Sequence, residues 1–167
     1  KQKIKHMDYL NMNKEALLPV VKELNKLLAD YNLYYQNLRN FHWNIVGRNF
    51  FDLHNKFEDM YNDAKLKIDD IAERILTLKY HPISRFSDYL EISSIKESSS
   101  LIEDTEMVNN LLNDSSILLK QMKSVIDLAE EAEDEGTIDL LGAYIRELEK
   151  DCWMLRAWSS KLTEVHA

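Results

Sequence analysis

Residues 49–79 run without a glycine or a proline, and their apolar positions keep a helical period. Leu53, Phe57, Met60 and Tyr61, Ala64, Ile68, Ile71, Ile75 and Leu78 recur at three- and four-residue steps, the spacing of one face of a single long helix. Four side chains able to hold a metal lie along it: His54, Glu58, Asp69 and Glu73. At about 100° per residue they project at roughly 0°, 40°, 60° and 100°, on one side of the cylinder. Glu58 and Asp69 are nevertheless separated by about 16 Å of helical rise, too far for one ion. His54 and Glu73 stand symmetrically about the Asp63–Ala64 peptide, and so do Glu58 and Asp69. If the helix pairs antiparallel with a copy of itself about a two-fold axis at that peptide, His54 and Glu58 face the copy's Glu73 and Asp69. Two identical histidine–carboxylate sites follow, as an isologous interface requires. Taken singly, each residue has a plainer reading: a surface histidine, a solvated acidic face, or a Glu73–Arg74 ion pair.

The rest of the chain is also helical in pattern. Asn13 can cap a helix with Glu15 in its first turn, and Pro19 places the start of its regular part near that proline. The period then holds from Val20 and Val21 through Leu24, Leu27, Tyr31 and Leu38 to Phe41 and His42, and Gly47 ends it. Asn49 caps the long helix with support from Asp52, and His81-Pro82 closes it. A Ser-rich stretch from Ile83 to Leu101 holds a short helix at Asp88–Glu91. Further helices span about 103–131 and about 137 to beyond Trp158. Residues 1–12 show no period and read as a mobile arm bearing Lys1, Lys3 and Lys5, with 13–167 as one domain.

Composition narrows the function. The chain has 167 residues, three glycines and two prolines, which suits one mostly helical domain with a sizeable core. A net charge of −8 opposes sequence-independent binding to phosphate backbones and suits a protein that attracts cations. No apolar run approaches the ~18 residues of a membrane span, and no signal-peptide pattern opens the sequence. With Cys152 as the single cysteine, these features lead us to expect a cytoplasmic location and no membrane partner.

Upstream of the long helix stands Phe41-His42-Trp43-Asn44, with His42 twelve residues before His54. The run H-W-N-x-x-G-x-x-F-F-x-L-H-x-x-F-E, the later D-D-I-A-E-R-I and the W-M-L-R-A-W near the end closely resemble the signature of the Dps mini-ferritins, from about Asn13 to Trp158. The resemblance implies an all-α, ferritin-like four-helix bundle with a short helix in the long connection between its second and third helices. It also implies a hollow homododecamer that oxidises Fe(II), preferentially with hydrogen peroxide, at a dinuclear iron centre and stores an Fe(III) mineral core. His42, His54 and Glu58 would come from one subunit, and Asp69 and Glu73 from its two-fold partner. Many relatives carry Asp at the position of Glu58, so metal placement or bridging can differ here. Trp43 would sit beside the centre and take up stray oxidising equivalents, or anchor an interface. By position, Glu130, Glu135 and Asp139 match acids of a three-fold entry pore, with Asp134 as an alternative. Some Dps proteins bind DNA through a Lys-rich tail; with three lysines and an acidic balance, weak or absent DNA binding is expected here.

Overall fold

The computed structural model describes residues 9–161, and Lys1, Lys3 and Lys5 of the expected arm lie outside them. Its helices are α1 (Lys14–Asn44), α2 (Phe50–Thr77), α3 (Phe86–Ile92), α4 (Asp104–Glu131) and α5 (Glu135–Ser159). Among the described residues there is no strand. The four long helices form a bundle, and α3 packs on α1 within the crossover from α2 to α4.

Side-chain pairings fix the directions. Asn37 meets Asp114 and Gln121 meets Glu23, so α4 runs antiparallel to α1. Lys56 pairs with Asp151, Lys67 with Glu147, and Arg74 with Thr137, so α5 runs antiparallel to α2. Since α1 and α2 also turn back on each other, α2 and α4 are parallel, and a long crossover must return the chain to the starting end. The expected architecture, four helices with a short one in that crossover, is the one observed.

The core is the apolar stripe of each helix turned inward. Leu24, Leu27, Leu38 and Phe41 of α1, Phe57, Ile71 and Ile75 of α2, Leu111, Leu118 and Met122 of α4 and Leu141 of α5 are fully buried. Each contributes about 1.5–3 kcal/mol of transfer free energy relative to exposure. The seam between α2 and α5 is polar instead. Lys67 is buried there between Asp63 and Glu147, 2.7 Å from the latter, with its ammonium 5.1 Å from the Tyr144 ring centroid. Tyr144 donates to Asp70 at 2.5 Å. Arg74 reaches Asp134 at 2.5 Å and Thr137 at 3.0 Å. A Cβ at Gly136 would lie 2.6 Å from Arg74 Nη2, so the missing side chain lets the guanidinium lie against the first turn of α5.

Several boundaries differ from the sequence reading. α1 starts at Lys14, capped by Asn13 Oδ1 accepting from Glu15 N at 2.9 Å, and Pro19 lies inside it. The proline removes one amide donor near the helix start, which a 31-residue helix with a buried face tolerates. Asn49 makes no side-chain cap; its amide donates to Asp104 at 2.7 Å and ties α2 to the start of α4. α2 ends at Thr77, before His81-Pro82, because Lys79 adopts φ 67° and closes the helix. Tyr80 N donates to Ile75 O and Lys79 N to Leu76 O, the paired bonds of a Schellman end. α4 ends the same way: Glu133 has φ 55°, Asp134 N donates to Ala129 O, and Glu133 N donates to Glu130 O. α3 extends over Phe86–Ile92 rather than four residues. α5 begins at Glu135, with Asp134 as its N-cap.

The crossover is held on α1 by side chains of α1. Asp30 Oδ1 accepts from the Ser93 hydroxyl and from Ser94 N at 2.7 Å. Asn37 donates to Lys96 O and to Asp114 Oδ2, both at 2.9 Å, and accepts from Ser98 N; Asn40 donates to Ser98 O. Burial pushes the Asp114 carboxyl up to about 6, against the lowering effect of the Asn37 hydrogen bond and with a smaller push from Asp30.

Two predictions arise here. Left-handed φ costs a non-glycine residue about 1–2 kcal/mol, so Glu133→Gly should raise the thermal midpoint, read by calorimetry. An unchanged or lowered midpoint would contradict the strain. For Asp114, the folded pKa lies above the ordinary carboxylate value, so the fold binds the extra proton and loses stability as pH rises from about 4 to about 6. Asp114→Asn keeps an acceptor for Asn37 without the charge. It should be more stable than the parent by on the order of 2 kcal/mol in urea at pH 7.5, and nearly equal to it at pH 4.

Candidate metal centre

The end of α1 and the start of α2 meet through two imidazoles. His42 Nδ1 lies 2.8 Å from the carbonyl oxygen of His54, and His54 Nδ1 lies 2.8 Å from the carbonyl oxygen of His42. A carbonyl oxygen only accepts, so both Nδ1 atoms donate. In the neutral ring the lone pair is then on Nε2, ready for a metal. This reciprocal exchange also binds the two helices across the turn that Gly47, at φ +95°, makes possible.

The rings are stacked. His42 and His54 have centroids 3.8 Å apart at 20°, and Phe50 covers the other face of His54 at 4.8 Å and 21°. Tyr61 meets His42 edge-on at 5.2 Å. Beneath them the buried Phe41 and Phe57 rings lie 6.1 Å apart. His42 is buried, and His54 and Glu58 are half-buried. One turn along α2 from His54, Glu58 completes a cluster whose ligand atoms lie within 4.8 Å of one another. An ion bound at about 2.1 Å spans donors up to about 4.2 Å apart, so a small rotamer adjustment of Glu58 closes the set.

The donor chemistry fits iron. Two imidazoles and one carboxylate with open positions are the set that suits non-haem Fe(II), whereas Mg and Ca prefer oxygen alone. Tyr61 is three residues beyond Glu58 on the same face. Its hydroxyl pKa is raised, first by loss of hydration, then by the Glu58 charge and by Tyr35, against a lowering by the Arg39 guanidinium.

The other residues singled out in the sequence are placed as follows. Asp69 and Glu73 are exposed, farther along α2, and do not join the His42–His54–Glu58 cluster of their own chain. Trp43 is 58% exposed, and its ring lies under the Arg39 guanidinium at 4.7 Å. Glu130, Glu135 and Asp139 are all exposed around the α4–α5 junction. Asp134 is fully buried, capping Thr137 and paired with Arg74, so the alternative pore acid is committed to structure. Arg74 bonds to Asp134, not to Glu73 as the plainer reading of Glu73 would have it. Sequence reasoning missed Tyr61, Phe50 and Arg39 as parts of the site. Tyr61 carries a signal, since it follows His54 by two helical turns, but its aromatic ring also fits the apolar stripe of α2.

Comparison with known proteins places the chain among relatives along nearly its whole length. A model of the ferritin-like domain matches residues 21–165. A DNA protection during starvation protein of Porphyromonas gingivalis is 41% identical, over 94% of this chain and 99% of its own. Among solved structures, a Dps protein from Vibrio cholerae O1, described as a member of a broad superfamily of ferritin-like diiron-carboxylate proteins, superposes with a TM-score of 0.89. It has 43% sequence identity and covers 95% of this chain and 100% of that one. Dps from Staphylococcus aureus gives a TM-score of 0.82 at 37% identity, over 85% of this chain and 95% of that one.

The histidine geometry makes one prediction. A neutron structure of the metal-free protein in mildly alkaline solution should show deuterium on Nδ1 of both His42 and His54 and none on Nε2. Deuterium on Nε2 of either ring would refute the reciprocal arrangement.

Proposed function

Because the chain belongs to the Dps mini-ferritins, within the ferritin-like family, we propose that it is a ferroxidase and iron store. It oxidises Fe(II), preferentially with hydrogen peroxide, and holds the Fe(III) product inside a homododecameric shell, protecting against oxidative stress. The observation that carries this reading is the cluster of His42, His54 and Glu58, with both Nε2 lone pairs directed by the reciprocal carbonyl bonds.

One chain supplies three ligands, and a dinuclear centre needs more carboxylate. Asp69 and Glu73 are exposed on the same helix, about 16 Å from Glu58 for the nearer of them, and symmetric with His54 and Glu58 about the Asp63–Ala64 peptide. The partner subunit's α2, antiparallel about that point, brings its own Asp69 and Glu73 to the site. Two Fe(II) ions then deliver the two electrons that reduce one peroxide without releasing a radical. The protein's part is to hold the ions and to exclude water; the redox change belongs to the iron. Glu58 carries the charge of the shorter Asp found in many relatives on one more methylene.

Iron enters past Glu130, Glu135 and Asp139 at three-fold axes. All three are exposed around one helix junction. DNA binding is weak or absent: a net charge of −8 per chain, roughly −96 for twelve copies, opposes a phosphate backbone. A site in the reducing cytoplasm is consistent with one unpaired cysteine, and no helix among the described residues is long and apolar enough to cross a membrane.

The shared centre is tested by complementation. His54→Ala and Glu73→Ala homodimers should each be poor at both sites. In a heterodimer of the two, one site collects both lesions and the other stays intact, so about half of the parent activity should return. No recovery after verified mixing, or full activity in a dissociated monomer, would show that the site is not shared. A gel shift at physiological salt and neutral pH should leave plasmid DNA unretarded; a retardation abolished by deleting residues 1–12 would refute weak DNA binding.

A further inference from the structure

The polar seam between α2 and α5 opens at its Lys56 end into a hollow of about 320 Å³, lined in part by Lys56, Met60, Lys150, Asp151 and Met154. Lys56 projects about 200° around α2 from His54, so the hollow lies on the far side of that helix from the candidate centre. Met154 is 40% exposed there, whereas Met60 on the same wall, Met107 and Met122 are buried. Lys56 Nζ donates to the Met154 sulfur at 3.9 Å and to Asp151 Oδ1 at 2.6 Å.

A thioether sulfur has two lone pairs and accepts a hydrogen bond only weakly. At Met154 the Lys56 ammonium takes up one of them, and the other is left for a molecule in the hollow. Oxidation of a methionine to its sulfoxide adds a polar oxygen and makes the side chain chiral. At Met107, inside the apolar core, that oxygen would lose its hydration among packed hydrocarbon. Met122 has a donor at its sulfur, the Tyr31 hydroxyl at 3.9 Å, but no exposure. Met154 combines access with a cation able to hold the new oxygen.

We infer that Met154 is a reversible oxidation site for hydrogen peroxide, with Lys56 selecting the face of the sulfur that reacts and then holding the product. The free lone pair of the sulfur attacks one peroxide oxygen, and the O–O bond breaks. The departing hydroxide takes the hydrogen of the transferred oxygen by way of a water in the hollow. One thioether and one peroxide thus give one sulfoxide and one water, with two electrons passing from sulfur to oxygen. A turn about the terminal torsion of the unbranched side chain brings the sulfoxide oxygen to Lys56, whose weak bond to sulfur becomes a charge-assisted bond to oxygen. The seam stays closed, and a sulfoxide reductase can restore the thioether. No metal takes part, so this inference and the ferroxidase reading stand or fall separately.

The full chain, freed of metal with a chelator, is treated with hydrogen peroxide and mapped by peptide mass spectrometry. Met154 should gain one oxygen about tenfold faster than Met60, Met107 or Met122. Treating the released peptides with each of the two epimer-specific sulfoxide reductases should show one Met154 epimer in clear excess, a bias that exposure alone does not create. Lys56→Leu, combined with Asp151→Asn so that no acid loses its partner, should still be oxidised but give the two epimers in near-equal amounts. The thermal midpoint of the oxidised parent should stay within about 2 °C of the reduced protein. Oxidation of the buried methionines as fast as Met154, equal epimers in the parent, an excess that survives in the double variant, or unfolding on oxidation would each overturn the inference.

Discussion

Two hydrogen bonds that cross between helices hold one end of this bundle together. His42 on α1 and His54 on α2 each donate to the other's backbone carbonyl, and the same two bonds dock the helices and point both free nitrogens outward. Buried polar groups of this kind are stabilising only when fully satisfied, and here each imidazole meets the other's main chain. Around them the stacked Phe50 ring and the Phe41–Phe57 floor leave little room for either imidazole to rotate. The site therefore rests on two long helices rather than on a loop, and its geometry is set when the bundle folds.

A second constraint comes from topology. With α2 and α4 parallel, the chain must travel the length of the bundle between them, and the crossover cannot pair with a strand or a neighbouring turn of its own. Asp30, Asn37 and Asn40, on one side of α1, supply the missing partners. Asp30 is completely buried and its Oδ2 finds no hydrogen-bond donor among the described residues. That cost is tolerated because its Oδ1 fixes the turn after α3, and α3 in turn covers one side of α1. On the opposite side of the molecule, long charged side chains span the seam between α2 and α5, and Gly136 leaves space for Arg74 at its end.

Much of this was legible in the sequence because it depends on period. Helical faces and the spacing of His42, His54 and Glu58 follow from counting residues along helices, whereas the long crossover and the parallel pair it joins were implied only by the family resemblance. What escaped depends on where a side chain goes once a third element is present. Asn49 looked like a cap because nothing local gave its amide another partner; Asp104, far away in sequence, did. Lys79 and Glu133 close their helices in a conformation usually left to glycine, and no local signal marks them. Tyr61 has an apolar body and a polar tip, and the period records only the body. Asp134 seemed one acid among several until Arg74 and Thr137 enclosed it.

The way α1 grips the crossover bears on how such a chain can diverge. Asn37 and Asn40 hold Lys96 O, Ser98 N and Ser98 O, and Asp30 holds Ser94 N; these are main-chain atoms that any residue other than proline provides. The side chains of Ser94, Lys96 and Glu97 are exposed. Drift in the strap should therefore be nearly silent at these three positions, while Asp30 and Asn37 admit few replacements. The loop is the partner free to vary and the helix the constrained one, so the exposed side chains of this crossover can be changed without disturbing the bundle beneath it.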